Sequence, residues 1–215
     1  MTSYDSFDSR TRDWMTERWW QEDEQLRAAR DAFAQTGPLI EVPAESGAFL
    51  AAMVRATGAR RIVEVGTLFG YSATWMARAL PEDGHLDTLE LEDVHADAAQ
   101  ALFVAAGIDH LVTIHRGAAA DSLAHLEGPY DLAFIDADKA GYIGYVEALL
   151  DRMRPGGTII ADNLAQAGAV ADPSASGDNV VAMRAFHEHL QGHPRLDSTV
   201  LPIGDGVSIS VVRGT

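Results

Sequence analysis

Charged side chains follow directly on an apolar run in the segment AFIDADKAGY. Asp136 and Asp138 lie one residue apart, and Lys139 comes next. Asp162 and Asn163 follow a second apolar run, TIIA. Two carboxylates and an amide oxygen suit a hard divalent cation, with Mg²⁺ the first choice. Beside a bound cation in a cleft, the neutral amine of a lysine is favoured, and that amine can accept a proton.

Each of these residues also has a simpler interpretation. Asp136 and Asp162 could cap the segments that follow them, and a lysine usually lies exposed on the surface. Two acids and an amide at the ends of two apolar runs favour the metal over capping. Lys139 is the only lysine of the chain, which makes an ordinary surface role less natural. We assign Asp138 no role as a metal ligand.

A second group of candidate residues lies in the segment VEVGTLFGYS. Gly66 permits a tight turn and a close approach of ligand to backbone, and a helix that begins near Tyr71 and Ser72 offers free N–H groups. Glu90 follows about twenty residues later, where an acid typically binds ribose hydroxyls. These features indicate a nucleoside ligand and leave NAD and S-adenosylmethionine open. Because the loop lacks G-x-G-x-x-G, it favours S-adenosylmethionine.

The elements that must position these residues alternate along the chain. Strands are predicted at RRIVEV, HLDTLELE, LVTIHRG, YDLAFIDA and TIIADN, with helices between them. This order predicts a mostly parallel sheet covered by helices on both faces, with ligands beyond the carboxyl ends of the strands. The segment GDG between the last two apolar runs predicts a hairpin, and the strand TIIADN is predicted to begin after RPGG. Residues 11–36 predict one or two amphipathic helices, in which Trp19 and Trp20 could cover the site but are expected to pack in the core.

Composition narrows the class of protein. The chain has 215 residues and no cysteine, so we expect one domain without disulfides or thiolate metal sites. A formal net charge of -16 argues against nucleic acid and anionic membranes as partners. No apolar stretch is long enough to span a membrane and no secretion signal is visible, so a cytoplasmic location is expected. We interpret His187, His189 and His193 as surface residues, since the first two cannot face the same way on a helix.

Taken in order, the segments VEVGTLFGYSA, LELE, FIDADKAGY, ADN and PIGDGVSI resemble the cation-dependent O-methyltransferases of the caffeoyl-CoA and catechol type, in their short bacterial form. The resemblance covers nearly the whole chain. It implies a Rossmann-like α/β class I methyltransferase fold, with a seven-stranded, mostly parallel sheet that has one antiparallel strand. It implies a single domain, 1–215, in which residues 1–45 form an N-terminal helical extension covering the site.

The resemblance also implies cofactors, partners and roles. The methyl donor would be S-adenosylmethionine, and the protein would be a homodimer that acts on a small-molecule hydroxyl acceptor. Asp136, Asp162 and Asn163 would hold Mg²⁺ or another divalent cation such as Mn²⁺ or Ca²⁺. Asp136 and Lys139 would be catalytic, with Lys139 as the base. The donor site would comprise Val42, Glu64, Gly66, Thr67, Phe69, Tyr71, Ser72, Glu90, Leu91, Gly117, Ala118, Asp136, Asp138 and Tyr145.

The chain departs from the family pattern at two places that bear on the acceptor. Glu41, Val42 and Pro43 stand where plant enzymes carry small hydroxyl residues, and the loop after Asn163 lacks an aromatic residue. A catechol-like acceptor with neighbouring hydroxyls is the first expectation, and a carrier-tethered or natural-product intermediate is the alternative.

Two other classes of protein were weighed against the methyltransferase. An NAD-dependent oxidoreductase should show G-x-G-x-x-G and Tyr-x-x-x-Lys, and neither occurs. A non-catalytic nucleoside-binding module would not need Lys139 together with the acidic residues at the two strand ends.

Overall fold

A twisted sheet of seven strands forms the centre of the fold in the computed structural model, which describes residues 8–34 and 42–214. The strands are β1 Arg61–Val65, β2 His85–Glu90, β3 Val112–Arg116, β4 Tyr130–Ile135, β5 Met153–Ala161, β6 Leu196–Leu201 and β7 Val207–Val212. Their order is β3-β2-β1-β4-β5-β7-β6. Only β7 runs against its neighbours, pairing antiparallel with both β5 and β6. The predicted seven-stranded sheet with one antiparallel strand is confirmed.

Helices cover both faces of this sheet. They are α1 Ser9–Trp19, α2 Glu24–Ala34, α3 Ala44–Thr57, α4 Tyr71–Ala77, α5 Asp93–Ala105, α6 Ala119–His125, α7 Tyr142–Leu150 and α8 Asp178–Gly192. Side chains alternate across each strand, so Ile62 packs with the α2 to α5 side and Val63 with the α6 to α8 side. Each face therefore has its own buried apolar cluster, and the sheet is held rigidly between them.

The carboxyl ends of the strands are tied together by backbone hydrogen bonds that continue the ladder past each strand. Gly66 N donates to Leu89 O at 3.1 Å, and Asp136 N donates to Val65 O at 2.9 Å. Asp162 N donates to Ile135 O at 3.1 Å. Because β4 and β5 are parallel neighbours with Ile135 opposite Ala161, Asp136 and Asp162 lie side by side at the carboxyl ends of these two strands, as the sequence predicted.

Two local predictions about the sheet and the N-terminal helices were wrong. The strand predicted at TIIADN starts earlier than expected, because β5 begins at Met153 and includes RPGG. A register shift against β4 between Tyr130 and Leu132 absorbs the irregular residues as a bulge. Trp19, expected in the core, lies at the end of α1 with 70% of its surface exposed.

The surface interpretation of the three histidines was also wrong. His187 is partly buried, and its Nε2 lies 2.9 Å from Leu164 O. The side chains of His189 and His193 are only 23% and 8% exposed, and both contact Glu147. A spacing of four residues brings the last two to one side of α8, a pairing that the comparison of His187 with His189 did not consider.

Within the described ranges, no helix is both long enough and apolar enough to cross a lipid bilayer.

Candidate active site

A cavity of about 880 Å³ opens beyond the carboxyl ends of the parallel strands. Its volume is within the usual range for small-molecule sites. The predicted site residues that line it are Val42, Gly66, Thr67, Phe69, Tyr71, Ser72, Glu90, Leu91, Ala118, Asp136, Asp138, Lys139, Tyr145, Asp162 and Asn163. The fold thus brings together residues from five strand ends that are far apart in the sequence.

Gly66 and Glu90 together shape the first loop of the cavity. Gly66 has φ 98°, and a Cβ added there would lie 2.1 Å from Asp136 O, so no larger residue fits. Glu90 Oε2 accepts hydrogen bonds from Thr67 N at 3.2 Å and Leu68 N at 2.7 Å. The carboxylate therefore holds the loop in its bent form, in addition to any contact that it makes with a ligand. Sequence reasoning had given Glu90 only the second role.

Glu64 and Gly117 do not line the cavity. Glu64 is fully buried one layer behind it, where its carboxyl accepts hydrogen bonds from Ser72 Oγ and Thr88 Oγ1, each at 2.5 Å. Burial raises the pKa of Glu64 to about 8. Glu64 thus acts on the cavity through Ser72, which does line it. Gly117 has φ 119° and forms the turn after β3, and the next residue, Ala118, lines the cavity.

Two carboxyl groups, an amide and an ammonium meet at one end of the cavity. Lys139 Nζ donates to Asp136 Oδ1 at 3.1 Å, to Asn163 Oδ1 at 2.5 Å and to Tyr142 OH at 2.8 Å. Burial raises the pKa of Asp136, although the positive charge of Lys139 opposes the shift. Burial, and then the charge of Asp136, raise the pKa of Asp162 to about 7. Negative charge is therefore concentrated here beyond what one ammonium balances.

The donor atoms of this centre fit a hard divalent cation. Asp136, Asp162 and Asn163 offer only oxygen, the element that Mg²⁺, Mn²⁺ and Ca²⁺ prefer. Asn163 has φ 63°, a conformation that asparagine tolerates better than most residues, and this turn directs its amide oxygen toward Lys139. A divalent cation would balance both buried carboxylates.

The sequence profile that describes the O-methyltransferase family matches residues 19–213. This chain belongs to that family. The match covers most of the chain, from the end of α1 to the residue after β7. The resemblance noticed in the sequence is thereby confirmed, and the protein is an S-adenosylmethionine-dependent O-methyltransferase.

Individual relatives agree with the family assignment. A catechol O-methyltransferase of Niastella koreensis is 40% identical over 202 residues, which cover 89% of this chain and 91% of the relative. The crystal structure of the O-methyltransferase TomG of Streptomyces achromogenes, in complex with SAM, is 35% identical with a TM-score of 0.90 and covers 100% of both chains. The structure of a Bacillus cereus O-methyltransferase in complex with SAH is 34% identical, has a TM-score of 0.87 and covers 94% of this chain and 96% of that one.

Tyr142 is a part of the candidate site that the sequence did not indicate. Its hydroxyl accepts from Lys139 Nζ and donates to Asp162 O at 3.2 Å, which fixes the lysine beside both acids. The available signal was the spacing of three residues between Lys139 and Tyr142, which puts both on one side of a helical turn. Asp138 is held apart from this centre because it accepts from Gly141 N at 2.9 Å and from Tyr145 OH.

Helix α2 and the residues just before α3 supply one wall of the cavity. Ala29 and Arg30 of α2 line it, as do Val42 and Pro43. Arg30 Nη2 donates to Tyr71 OH at 2.6 Å and to Glu22 Oε1 at 2.8 Å, which ties α2 to the start of α4. Glu41, noted in the sequence as a departure, lies outside the described residues.

The loop of residues 164–177 reaches the cavity through Gln166, and Arg184 of α8 binds the later part of this loop. The guanidinium donates to four backbone carbonyls of this loop, on Val170 at 3.0 Å, Ala175 at 2.8 Å, Ala169 at 3.1 Å and Asp172 at 2.5 Å. Asn179, which follows the loop in α8, also lines the cavity. Nothing local in the sequence indicates that one arginine would bind four carbonyls of this loop.

Proposed function

We propose that this methyltransferase transfers the methyl group of S-adenosylmethionine, with the help of a divalent cation, to a hydroxyl of a small catechol-like acceptor. The observation that carries the proposal is the meeting of Asp136, Asp162 and Asn163 with Lys139 at one end of a cavity of about 880 Å³. The similarity to a catechol O-methyltransferase at 40% identity supports the acceptor class.

The donor is assigned to the part of the cavity bounded by the first three parallel strands. Glu90 would accept a hydrogen bond from the ribose hydroxyls through Oε1, which has one close partner, Glu92 N at 3.0 Å, and a more distant one, His95 Nδ1 at 3.4 Å. The small side chain of Ala118 would leave room for the adenine. Ser72, Asp138 and Tyr145 would bound the methionine part and bring the methyl group toward Lys139.

Asp136, Asp162 and Asn163 would hold the cation, Mg²⁺ first, with Mn²⁺ and Ca²⁺ as alternatives. When bound, such an ion lowers the pKa of an acceptor hydroxyl and orients a neighbouring oxygen. The three residues are anchored to the ends of β4 and β5, so their oxygen atoms hold their position without help from the ligand.

Lys139 would accept the proton of the reacting hydroxyl as its free amine. Tyr142 holds the Nζ atom at 2.8 Å from its own hydroxyl oxygen, so the amine stays aimed at the acidic end of the cavity. The acceptor oxygen then forms a bond to the methyl carbon while the bond from that carbon to the sulfonium sulfur breaks. The products are the methyl ether and S-adenosylhomocysteine, with the proton left on Lys139. Positioning of the two reactants can remove about 7–11 kcal/mol of the barrier at best.

The acidic surroundings of the cavity favour a small uncharged acceptor over one bearing several phosphates. Glu92, Asp138 and Asp205 line the cavity in addition to the two buried acids, and they would repel an anionic acceptor. A natural-product or carrier-tethered acceptor remains the second candidate. The structural relative TomG, involved in tomaymycin synthesis, favours that candidate.

We also propose that the N-terminal extension covers the bound reactants. Arg30 supports this, since it lines the cavity from α2 and bonds to Tyr71 on the opposite element. Exclusion of water by such a wall would strengthen every electrostatic interaction in the site.

The proposal is tested with the variants Asp162→Ala and Lys139→Ala, and with Asp109→Ala as a control at an exposed acid away from the cavity. Calorimetry with S-adenosylhomocysteine, with and without Mg²⁺, reports donor binding, and methyl transfer to catechol reports the reaction. Loss of the base or of a cation ligand should lower turnover by about 10²–10⁴-fold with donor affinity largely kept. Unchanged turnover in both variants, or full activity in a strong chelator, would contradict the cation and base roles.

A further inference from the structure

A second group of potential metal ligands lies between α7 and α8. Glu147 of α7 faces His189 of α8 and His193, the residue that follows α8. We call these three residues the α7–α8 cluster. None of them lines the cavity at the strand ends, so the cluster is separate from the proposed reaction centre.

The ligand atoms already converge on one point. Glu147 Oε1 lies 3.0 Å from Nε2 of His189 and 3.0 Å from Nε2 of His193, and the three ligand atoms all lie within 4.8 Å of one another. Ligand atoms around a tetrahedral Zn²⁺ stand about 3.3 Å apart, given bonds of about 2.0–2.1 Å. The carboxylate oxygen is thus within about 0.3 Å of that spacing from each imidazole nitrogen, and the two nitrogens lie within 4.8 Å of each other.

The hydrogen bonds among these side chains leave one imidazole unsatisfied. His193 Nε2 is hydrogen-bonded to Glu147 Oε1. Nε2 of His189 is equally close to that oxygen, yet it is buried and has no hydrogen-bond partner among the described residues. The Glu147 oxygen thus forms a hydrogen bond with His193 and none with His189. A cation would use the lone pairs of all three groups.

The surroundings of the cluster suit a positive ion. The nearby guanidinium of Arg195 is paired with Asp151 Oδ1 at 2.9 Å, so its charge is balanced. Arg195 N also donates to His193 Nδ1 at 3.2 Å. Nε2 of His193 therefore carries the ring proton while no metal is bound. A metal at Nε2 would move that proton to Nδ1 and replace this long, exposed hydrogen bond with one to water.

We propose that the α7–α8 cluster binds a transition-metal dication of the Zn²⁺ type through two imidazole nitrogens and one carboxylate oxygen. Imidazole ligands favour Zn²⁺ and its neighbours over Mg²⁺ and Ca²⁺, which prefer oxygen. Water would complete a tetrahedral shell. The oxygen-only centre at the strand ends and this nitrogen-rich cluster would therefore select different metals from the same solution.

Such a site would connect two elements that both reach the reaction centre at their other ends. α7 begins with Tyr142, which holds Lys139, and α8 begins next to Asn179, which lines the cavity. A bound ion would cross-link the far ends of the two helices and stabilise the folded state by mass action. We expect the effect on stability rather than on the chemical step.

The test is a Zn²⁺ titration by calorimetry with excess Mg²⁺ present to fill the oxygen-only centre. The cluster variant is His189→Gln with His193→Gln, and the matched control is His110→Gln with His125→Gln, which removes two exposed histidines elsewhere. Glu147→Gln, close in shape to glutamate, is a single-site variant in case the double one folds poorly. We expect one Zn²⁺ per chain in the wild type and the control, and affinity at least about tenfold weaker in both cluster variants.

Two further readouts distinguish a built site from loose binding. Zn²⁺ should raise the melting temperature of the wild type and the control, and leave that of the cluster variants unchanged. The ¹⁵N resonances of the His193 ring should show its proton moving from Nε2 to Nδ1 as Zn²⁺ is added. Equal Zn²⁺ isotherms for the cluster and control variants, or no Zn²⁺ uptake by the wild type, would overturn the proposal.

Discussion

The substitution Gly66→Ala should damage both the stability and the active site of the methyltransferase. A Cβ at residue 66 would lie 2.1 Å from Asp136 O and 2.9 Å from the carbonyl carbon of the same residue. That carbonyl cannot easily turn away, because the peptide group that precedes it is hydrogen-bonded on both of its sides. Asp136 N donates to Val65 O at 2.9 Å, and Asp162 N donates to Ile135 O at 3.1 Å. Relief of the clash must therefore move the end of β4, and Asp136 with it.

The size of the effect follows from two separate contributions. A non-glycine residue at φ 98° is strained by about 1–2 kcal/mol. Forcing a methyl group against fixed backbone adds about 1–3 kcal/mol. Gly117→Ala isolates the first contribution, because Gly117 has φ 119° and a Cβ there meets no heavy atom within 4 Å.

Urea unfolding of the two variants in parallel measures the difference. We expect Gly66→Ala to lose about 1–3 kcal/mol more than Gly117→Ala, or roughly 2–12 °C in melting temperature for a chain of this length. Calorimetry should also show weaker binding of S-adenosylhomocysteine by Gly66→Ala, since the first loop of the cavity begins at this residue. Equal unfolding free energies in the two variants, or normal methyl transfer by Gly66→Ala, would refute the reasoning.

Three further predictions concern single side chains. The pKa of Glu64 is about 8 in the folded protein against an ordinary 4.5. The folded state thus keeps a proton that the unfolded chain releases, and the free energy of unfolding should fall between about pH 5 and 8, by about 1.4 kcal/mol per pH unit at most. Glu64→Gln should flatten that slope in urea titrations at several pH values. Tyr142→Phe removes a hydrogen bond to Lys139, and we expect kcat to fall about tenfold with donor affinity unchanged. Arg184→Gln leaves carbonyls of the loop of residues 164–177 without their donor, so we expect a loss of about 1–3 kcal/mol in stability and a raised acceptor KM with an unchanged Kd for S-adenosylhomocysteine.

Each of these has an outcome that contradicts it. An unchanged slope in Glu64→Gln would contradict the raised pKa of Glu64, whereas a smaller remaining slope is expected from Asp136 and Asp162, whose pKa values are also raised. A normal kcat in Tyr142→Phe would mean that Lys139 needs no positioning, since the ring contact with Phe186 at 5.2 Å is kept by phenylalanine. An equal rise in acceptor KM and donor Kd for Arg184→Gln would indicate general loosening of the cavity.

Sequence patterns predicted the features that repeat along the chain. Alternating apolar runs and helical stretches gave the parallel sheet, and the topology of such sheets then placed Asp136 beside Asp162 without any knowledge of side-chain packing. Gly66 and Glu90 were found for the same reason, because each is the residue at which a strand ends. The positions of residues at the ends of strands can therefore be predicted from the sequence.

Features that depend on contacts between distant segments were not predicted. The α7–α8 cluster joins residues more than forty positions apart, so the spacing of its histidines along one helix does not reveal their contact with Glu147. Glu64 was predicted to contact the donor. Its side chain is instead fully buried behind the cavity, where it is hydrogen-bonded to Ser72. The hold of Arg184 on four carbonyls leaves no trace in composition, since the acceptors are backbone atoms.

Two parts of the cavity are secured in different ways, and this has a consequence for how the enzyme can change. The proposed donor side and the acidic centre are fastened to the sheet by its own backbone ladder, which does not depend on side-chain identity. The loop of residues 164–177 is held through its backbone, by Asp205 and Gly206 at residues 164–167 and by Arg184 at the carbonyl groups of residues 169–175. Residues within that loop can be exchanged while these hydrogen bonds persist. Substitutions confined to this short loop can therefore change which acceptor binds, while the residues proposed for methyl transfer stay the same.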